Sequence, residues 1–247
     1  MNRVRVSAVS YANAYPFIYG LENSDLINNI DLSLDCPSVC ATKLLSDKVD
    51  LGLIPISLIP RMDYYEIISD YCIGSTAEVR SVILVSNSEL SEIKSIYLDS
   101  ESRTSNELVK ILAKKYWNIN PVFIFPENEI ISNIPDDSAA LFIGDKSFIY
   151  ENRFNNVIDL AKEWTDYTKL PFVFACWIAN KKLPDSFKVM FSNALKSGVA
   201  SINKIIEINY RNIKNIPSPE QYFVENIDYL LDASKKKAMD LFISYLI

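Results

Sequence analysis

Histidine is absent from all 247 residues of the chain. Its imidazole is the commonest general base near neutral pH and the commonest metal ligand, so its absence argues against serine and cysteine hydrolases of the usual histidine-dependent kind. Glycine is also scarce, with five residues, and neither a G-x-G-x-x-G nor a G-x-x-x-x-G-K-S/T pattern occurs. Dinucleotide and P-loop chemistry therefore have no support, because those loops need glycine at fixed spacings. The sequence predicts neither a metal ion nor an organic cofactor.

The four cysteines, Cys36, Cys40, Cys72 and Cys176, are scattered along the chain. The closest pair has a C-x-x-x-C spacing, which is neither the redox spacing nor a usual zinc spacing. We therefore expect buried, reduced thiols.

The charge balance is acidic, with a net charge of -6 and an isoelectric point near 4.9. The longest basic run is Lys235 to Lys237, which does not form the basic stripe that nucleic acid requires. No apolar run approaches the length of a membrane span, and the first residues lack the long apolar core of a signal peptide. We expect a cytoplasmic protein without nucleic-acid or membrane partners, either a monomer or a homodimer.

The order of apolar segments predicts an α/β chain of two lobes. Predicted strands cover 3–9, 30–34, 50–55, 66–73, 81–85, 96–98, 122–125, 139–143 and 170–179, and predicted helices cover 37–46, 104–117 and, from residue 185, a long segment through 210 followed by two more. The late helices lack strand partners and are predicted to cover the first lobe. Lobe 1 is predicted at 1–82 and 176–247 and lobe 2 at 83–175, with crossings at 79–85 and 172–178. Two crossings and a cleft indicate a hinged clamshell, like that of solute-binding receptors.

The segment from Ile96 to Trp117 carries the strongest local signal for a ligand. Thr104 followed by Glu107 is a capping-box pattern, which predicts a helix that begins at Thr104 with Arg103 just outside it. Free backbone N–H groups, hydroxyls and a guanidinium would then meet at the positive end of a helix, where a carboxylate or phosphate binds well. Alternatively, the hydroxyls only cap the helix and Arg103 lies in water.

Six segments together resemble a known family. They are VSAVSYANAYPF, DLGLIP, VRSVILVS, LDSESRTSNELVKIL, ALFIGD and KEWTDYTKLPFVFACW, and their order spans Val4 to Trp177. They resemble the chorismate dehydratase family of the futalosine route to menaquinone. This resemblance implies a two-lobed periplasmic-binding-protein-like type II fold and the conversion of chorismate into 3-[(1-carboxyvinyl)oxy]benzoate with loss of water.

Two other functions stay open. The sister 1,4-dihydroxy-6-naphthoate synthase family shares the fold but carries a catalytic histidine, and its first loop differs from Ser10-Tyr11-Ala12-Asn13. A cytoplasmic solute-binding protein for a small carboxylate would close on its ligand without turnover. In this chain Ala14-Tyr15 stands where relatives more often carry a small hydroxyl and a polar residue, which leaves the contacts of the first loop open.

The sequence pattern and the resemblance together predict a set of site residues. Asn13 is the predicted catalytic residue, whose amide could donate to the leaving hydroxyl or to an enolate-like oxygen; alternatively, it is a turn residue that ties down its own backbone. The predicted substrate-binding residues are Ser10, Tyr11, Ser57, Arg80, Ser81, Arg103, Thr104, Ser105, Gly144 and Asp145.

The predicted site assigns one carboxylate of chorismate to the helix start at Arg103, Thr104 and Ser105. The other is assigned to the region of Ser81, with Arg80 either a helper or part of a salt bridge. Asp145 follows a strand end and is either a base or, in the favoured interpretation, the N-cap of the next helix. Without histidine, the substrate's own enolpyruvyl carboxylate is a further candidate for the base.

Overall fold

The computed structural model describes residues 3–126 and 134–247. Its strands are β1 (Val4–Val9), β2 (Ile30–Asp35), β3 (Leu51–Pro55), β4 (Glu66–Ser75), β5 (Val82–Ser86), β6 (Ser95–Tyr97), β7 (Val122–Ile124), β8 (Ser138–Ile143), β9 (Asn156–Asp159), β10 (Phe172–Ala179) and β11 (Asp228–Leu230). Its helices are α1 (Tyr15–Glu22), α2 (Pro37–Leu45), α3 (Thr104–Leu112), α4 (Ser147–Tyr150), α5 (Leu160–Thr168), α6 (Asp185–Val199), α7 (Ile202–Ile208), α8 (Pro219–Gln221) and α9 (Ala233–Ser244). The parts of the predicted lobes at 1–2 and 127–133 lie outside the described residues.

The first sheet has six strands in the order β11-β4-β10-β3-β1-β2. Strand β1 runs parallel to β2 and β3, whereas β10 runs antiparallel to β3 and β4. Strands β3 and β10 are buried at every position, which explains their unbroken apolar sequences. The parallel strands β1 and β3 therefore deliver their following loops to one edge of the sheet.

The second sheet has five strands in the order β7-β6-β8-β5-β9. Strand β6 pairs parallel with β7 on one side and with β8 on the other, and β5 pairs antiparallel with β8 and β9. Helix α3 follows β6 and buries Leu108, Ile111 and Leu112 on one face. The chain thus forms the two α/β sheets that the alternating pattern predicts.

The chain passes between the sheets in the segments after β4 and after β9. Among the described residues, β5 pairs only within the second sheet and β10 only within the first. The lobe boundaries predicted from sequence fall inside these two strands. We propose instead that the boundaries lie in the connecting segments, at 76–81 and at 160–171.

The C-terminal region differs from the predicted set of helices. The prediction of one helix from 185 to 210 is wrong, because α6 and α7 are separated at Ala200 and Ser201. The prediction that this region lacks strands is also wrong, since β11 pairs with β4 at the edge of the first sheet. A three-residue strand is too short to give a periodic pattern, and its partner is remote in sequence.

Helix α1 is held in place by an unusually close approach to α6. An added Cβ at Gly20 would lie 2.0 Å from the Ala194 carbonyl oxygen, and one at Gly198 would lie 1.8 Å from that of Pro16. Only glycine permits this backbone-to-backbone contact. The contact fixes the start of α1 and so the loop before it, which contains Asn13.

Across the described residues, no helix is both long enough and apolar enough to cross a membrane.

Candidate active site

A cavity of about 60 Å³ lies between the two sheets. Its polar lining residues are Tyr11, Asn13, Ser81, Ser102, Thr104 and Ser105. Ile73 and Phe174 from the first sheet and Ile143 from the second supply apolar walls. None of the described lining residues carries a formal charge. The cavity therefore offers hydroxyl, amide and backbone groups to a ligand.

Thr104 joins the two lobes at the start of α3. Its hydroxyl donates to the Phe174 carbonyl oxygen at 3.1 Å and accepts from the Ser57 N–H at 3.3 Å. The predicted capping box is wrong, because the Glu107 N–H donates to the Arg103 carbonyl oxygen instead. Thr104 is the first residue inside the helix, and its hydroxyl is used across the cleft.

The first turn of α3 is capped by a different residue. Ser102 accepts from the Ser105 N–H at 3.1 Å. Asn106 reaches back to the same loop, donating to the Asp99 carbonyl oxygen at 2.8 Å and accepting from the Asp99 N–H at 3.1 Å. These bonds hold the Ser102 and Ser105 hydroxyls at the cavity wall. Asn106 was not among the predicted site residues, although Asn beside a capped helix start is a usable signal.

Tyr11 connects the first loop to the second lobe. Its hydroxyl donates to Glu101 Oε2 at 2.6 Å. Lys146 lies 3.0 Å from the same carboxylate and 2.8 Å from that of Asp99. Burial and the Glu101 charge raise the pKa of Tyr11 well above its usual value, so Tyr11 stays a donor. Although burial alone would raise it, hydrogen bonds from Tyr11 and Lys146 lower the pKa of Glu101.

Asp145 also bonds across the cleft. Its Oδ1 and Oδ2 accept from the Ala12 N–H at 3.1 and 3.2 Å. The predicted role as N-cap of the following helix is wrong, because no side chain caps α4. Asp145 instead accepts a hydrogen bond from the first residue of the short 3-10 turn Ala12–Ala14 in the opposite lobe. Burial raises the pKa of Asp145 to about 6, with the Ala12 hydrogen bond acting in the opposite direction.

Gly144 lines the cavity in a conformation that requires glycine. Its φ is 65°, and an added Cβ would lie 2.8 Å from the Tyr11 ring. Its N–H donates to the Ser81 carbonyl oxygen at 2.8 Å.

Asn13 sits in the 3-10 turn with its side chain at the cavity wall. Its Oδ1 is buried and has no hydrogen-bond partner among the described residues. Its carbonyl oxygen accepts from the Tyr229 hydroxyl at 3.0 Å. Burial raises the pKa of the Tyr222 hydroxyl well above its usual value, and the Ser81 and Asn13 side chains act in the opposite direction. Neither Tyr222 nor Tyr229 was among the predicted site residues, since neither carries a local sequence signal.

Five of the ten predicted substrate-binding residues do not line the cavity, namely Ser10, Ser57, Arg80, Arg103 and Asp145. Ser10 is exposed to solvent, and the Ser57 N–H donates to the hydroxyl of Thr104, which itself lines the cavity. The Arg80 guanidinium donates to both Glu151 carboxylate oxygens at 3.1 Å, which is the salt bridge considered as the alternative. The Arg103 guanidinium donates to the Thr42 hydroxyl at 3.1 Å.

The cleft residue Asp145 likewise contacts the first loop and is absent from the cavity wall. The cavity therefore contains Tyr11, Asn13, Ser81, Thr104, Ser105 and Gly144 from the predicted set.

Two α/β lobes that enclose a cavity between them define a protein of the two-lobed binding-protein class. The Candida albicans CA3427 gene product, which exhibits the generic periplasmic binding protein structural fold, superposes with a TM-score of 0.66 and 10% identity, covering 98% of this chain and 90% of that chain. This similarity establishes the fold alone.

The family follows from the sequence match. The model of a family described as Menaquinone biosynthesis matches residues 4–247, and the chain belongs to that family. A chorismate dehydratase of Thermus thermophilus is 25% identical over 221 residues, covering 81% of this chain and 80% of the relative. A chorismate dehydratase of Campylobacter jejuni is 25% identical over 228 residues, covering 91% and 85%.

Proposed function

We propose that this chain is a chorismate dehydratase, a hydro-lyase that converts chorismate into 3-[(1-carboxyvinyl)oxy]benzoate and water on the futalosine route to menaquinone. Membership in the menaquinone biosynthesis family and similarity to two chorismate dehydratases support the proposal. The structural observation that carries it is the convergence of Asn13 and five other predicted residues on one enclosed cavity.

The reaction depends more on correct positioning of the substrate than on a strong acid or base. Loss of the ring hydroxyl and of the proton on the ether-bearing carbon produces an aromatic ring, so aromatisation supplies the driving force. The C–O bond breaks, and the hydroxide leaves with a proton as water. A fixed amide N–H beside the departing oxygen stabilises the charge that develops there. Among the described lining residues, Asn13 is the one with a side-chain amide that can provide this donor.

The two carboxylates of the substrate need donors at separate places. The Ser102 and Ser105 hydroxyls at the positive end of α3 suit one carboxylate. Ser81 and Tyr11, on the opposite wall, suit the other. Arg80 and Arg103 do not enter this assignment, because their guanidinium groups are bonded to Glu151 and Thr42.

The base is best supplied by the substrate. Asp145 accepts a hydrogen bond from the Ala12 N–H, and Glu101 accepts hydrogen bonds from Tyr11 and Lys146. Both nearby carboxylates are therefore already engaged in hydrogen bonds within the protein. The enolpyruvyl carboxylate is tethered to the carbon whose proton is lost, and such intramolecular proximity accelerates proton transfer. In this account the protein folds that carboxylate into place.

The test is a turnover assay with chorismate in metal-free buffer, followed by chromatography with mass detection. The expected product is lighter than chorismate by one water and is lost in Asn13→Ala. Asn155→Ala, an exposed asparagine of the second lobe, is the matched control and retains turnover. Bound chorismate without product would favour a solute-binding protein for a small carboxylate, which the fold also suits.

The cellular location and assembly belong to the same proposal. We propose a cytoplasmic enzyme, since chorismate is an intermediate of intracellular biosynthesis, that acts as a monomer or homodimer on a small-molecule substrate. Size-exclusion chromatography with light scattering separates the two assemblies.

A further inference from the structure

Tyr229, on the short strand β11, is hydrogen-bonded to the turn that carries Asn13. Its hydroxyl donates to the Asn13 carbonyl oxygen at 3.0 Å, across 216 positions of sequence. Tyr229 is buried, with 5% of its surface exposed. It is not among the described residues that line the cavity, so its effect on a ligand there has to pass through Asn13.

The Asn13 carbonyl oxygen needs a donor from outside its own turn. In a 3-10 turn each carbonyl oxygen accepts from the N–H three residues further on. The Ala12 carbonyl oxygen receives such a bond from the Tyr15 N–H. For Asn13 the corresponding residue is Pro16, whose backbone nitrogen carries no hydrogen. The Tyr229 hydroxyl therefore supplies the bond that Pro16 cannot.

The peptide group that follows Asn13 is bonded at both of its polar atoms. Its oxygen accepts from Tyr229, and its N–H, which belongs to Ala14, donates to the Tyr11 carbonyl oxygen at 3.0 Å. A peptide group is planar, so holding its oxygen and its N–H fixes the plane in which it lies. The backbone of Asn13 is thereby fixed on its carbonyl side, and with it the direction of the bond to the Asn13 side chain.

Tyr229 is itself held in place by its own strand. Its ring packs edge-to-face on Phe17 of α1, with centroids 5.3 Å apart and planes at 79°. The two residues beside it, Asp228 and Leu230, pair with β4. Asp228 also accepts from the ammonium group of Lys235, a fully buried lysine of α9. The hydroxyl of Tyr229 is therefore presented to Asn13 from a rigid support.

We propose that Tyr229 is a positioning residue whose bond to the Asn13 carbonyl oxygen sets the direction of the Asn13 amide into the cavity. The inference rests on the proposed function, which assigns that amide as the donor to the departing hydroxyl. A donor stabilises developing charge only when it lies about 2.7–3.1 Å from it, so a small rotation of the turn removes its effect. Tyr229 therefore acts on the transition state, while the hydroxyls at the start of α3 hold the substrate without it.

The decisive variant is Tyr229→Phe, which removes the hydroxyl and keeps the ring against Phe17. We expect kcat for chorismate to fall about tenfold and KM to change less than about twofold, because only the transition-state donor is misplaced. Tyr71→Phe is the matched control, since Tyr71 packs edge-to-face on the same Phe17 ring, with centroids 6.2 Å apart. Among the described residues no hydrogen bond joins Tyr71 to Asn13, and its variant is expected to retain wild-type kcat.

An NMR signal of Asn13 separates positioning from a general loss of stability. In protein with isotope-labelled asparagine, the side-chain NH₂ signal of Asn13 is the one that disappears in Asn13→Ala. We expect this signal to shift or broaden in Tyr229→Phe and to stay unchanged in Tyr71→Phe. Kinetics and spectra are recorded at a temperature at which both variants are folded. A purely structural role for Tyr229 would lower the melting temperature and leave the Asn13 signal and kcat unchanged.

The outcomes distinguish this inference from the proposed function. Wild-type kcat in Tyr229→Phe, or an unchanged Asn13 signal, would overturn the positioning role while leaving the dehydratase proposal intact. Absence of turnover in the wild type would instead overturn the proposed function, and the Asn13 signal would still decide whether Tyr229 positions Asn13.

A crystal structure of the wild type with the reaction product decides the inference if Tyr229→Phe does not fold. The expected distance between the Tyr229 hydroxyl and the Asn13 carbonyl oxygen is within about 3.2 Å, with the Asn13 amide facing the product. A separation beyond about 3.5 Å would overturn the positioning role.

Discussion

The Ala12 N–H of the first lobe donates to the Asp145 carboxylate of the second lobe, at 3.1 Å to Oδ1 and 3.2 Å to Oδ2. This bond anchors the turn that presents Asn13, so the placement of the proposed catalytic amide depends on both lobes. The same burial that makes the bond raises the pKa of Asp145 to about 6. The contact between the lobes and the protonation of a carboxyl group are therefore linked at Asp145.

The first prediction concerns the pH dependence of stability. The pKa of Asp145 is about 6 in the folded protein against an ordinary value of 3.8, so the buried carboxylate is favoured when protonated. Its contribution to the free energy of unfolding is full below about pH 4 and is lost as the pH rises through about 6. Asp145→Asn removes this loss. We therefore expect the free energy of unfolding of the variant to exceed that of the wild type by on the order of 1 kcal/mol above pH 6.

Urea unfolding of both proteins between pH 4 and 8 measures the difference. Asp159, whose pKa burial also raises to about 6, is present in both proteins and cancels. A stability difference that does not change with pH would contradict the assignment. The variant is also expected to retain turnover, since an amide oxygen can accept from Ala12; loss of turnover with chorismate affinity intact would instead make Asp145 the base.

The second prediction concerns the bond between Tyr11 and Glu101. Tyr11→Phe removes a hydrogen bond to a charged group that joins the lobes, so the ligand-bound arrangement is less favoured. We expect KM for chorismate to rise about tenfold. Tyr65→Phe, an exposed tyrosine of the first lobe, is the control and leaves KM unchanged. Unchanged KM in Tyr11→Phe would show that the bond does not assist closure on substrate.

The third prediction concerns Gly144. Gly144→Ala places a methyl group 2.8 Å from the Tyr11 ring at a φ of 65°, which costs about 1–2 kcal/mol of backbone strain and displaces Tyr11. We expect lower stability in urea and a large loss of turnover.

Gly52→Ala is the matched control for Gly144→Ala. An added Cβ at Gly52 meets Ile54 Cδ1, the end of a flexible side chain, and Gly52 has no positive φ. It is expected to keep most of its turnover. Equal losses in the two variants would contradict the special role of Gly144.

The predictability of the site depends on how far apart its partners lie in sequence. Thr104 and Ser105 start a helix, and the local pattern suffices to select them, whereas Asn13 follows a strand end and was selected through the family resemblance. The partner of Asp145 is 133 residues away, and the pattern after its strand suggested a local cap instead. Tyr229 is one of 14 tyrosines, and nothing local separates it from those that only fill the core.

The secondary structure was also predictable only where the local sequence carries a pattern. Long apolar strands such as β3 and β10 and the amphipathic α3 were predictable, because burial imposes a period on the sequence. The short strands β9 and β11 were missed although the equally short β6 and β7 were predicted, because Asn156, Asp159 and Asp228 interrupt their apolar sequence and their pairing depends on remote partners.

The last prediction compares a charged residue of the predicted site with an uncharged one. Arg80 carries the charge that a carboxylate ligand would favour, yet its guanidinium is bonded to Glu151 and lies over the Phe148 ring at 5.8 Å. Ser105 is uncharged but lines the cavity at the positive end of α3. We expect Ser105→Ala to raise KM for chorismate about tenfold and Arg80→Ala to change it less than about threefold.

Isothermal titration with the reaction product measures affinity in both variants without turnover. Arg80→Ala is expected to lower the free energy of unfolding by about 1 kcal/mol, because it leaves the half-buried Glu151 unpaired. A larger loss of product affinity in Arg80→Ala than in Ser105→Ala would mean that Arg80 exchanges Glu151 for a substrate carboxylate. The two serines and the helix end would then not suffice to hold a dianion, and the uncharged cavity would require Arg80 to bind it.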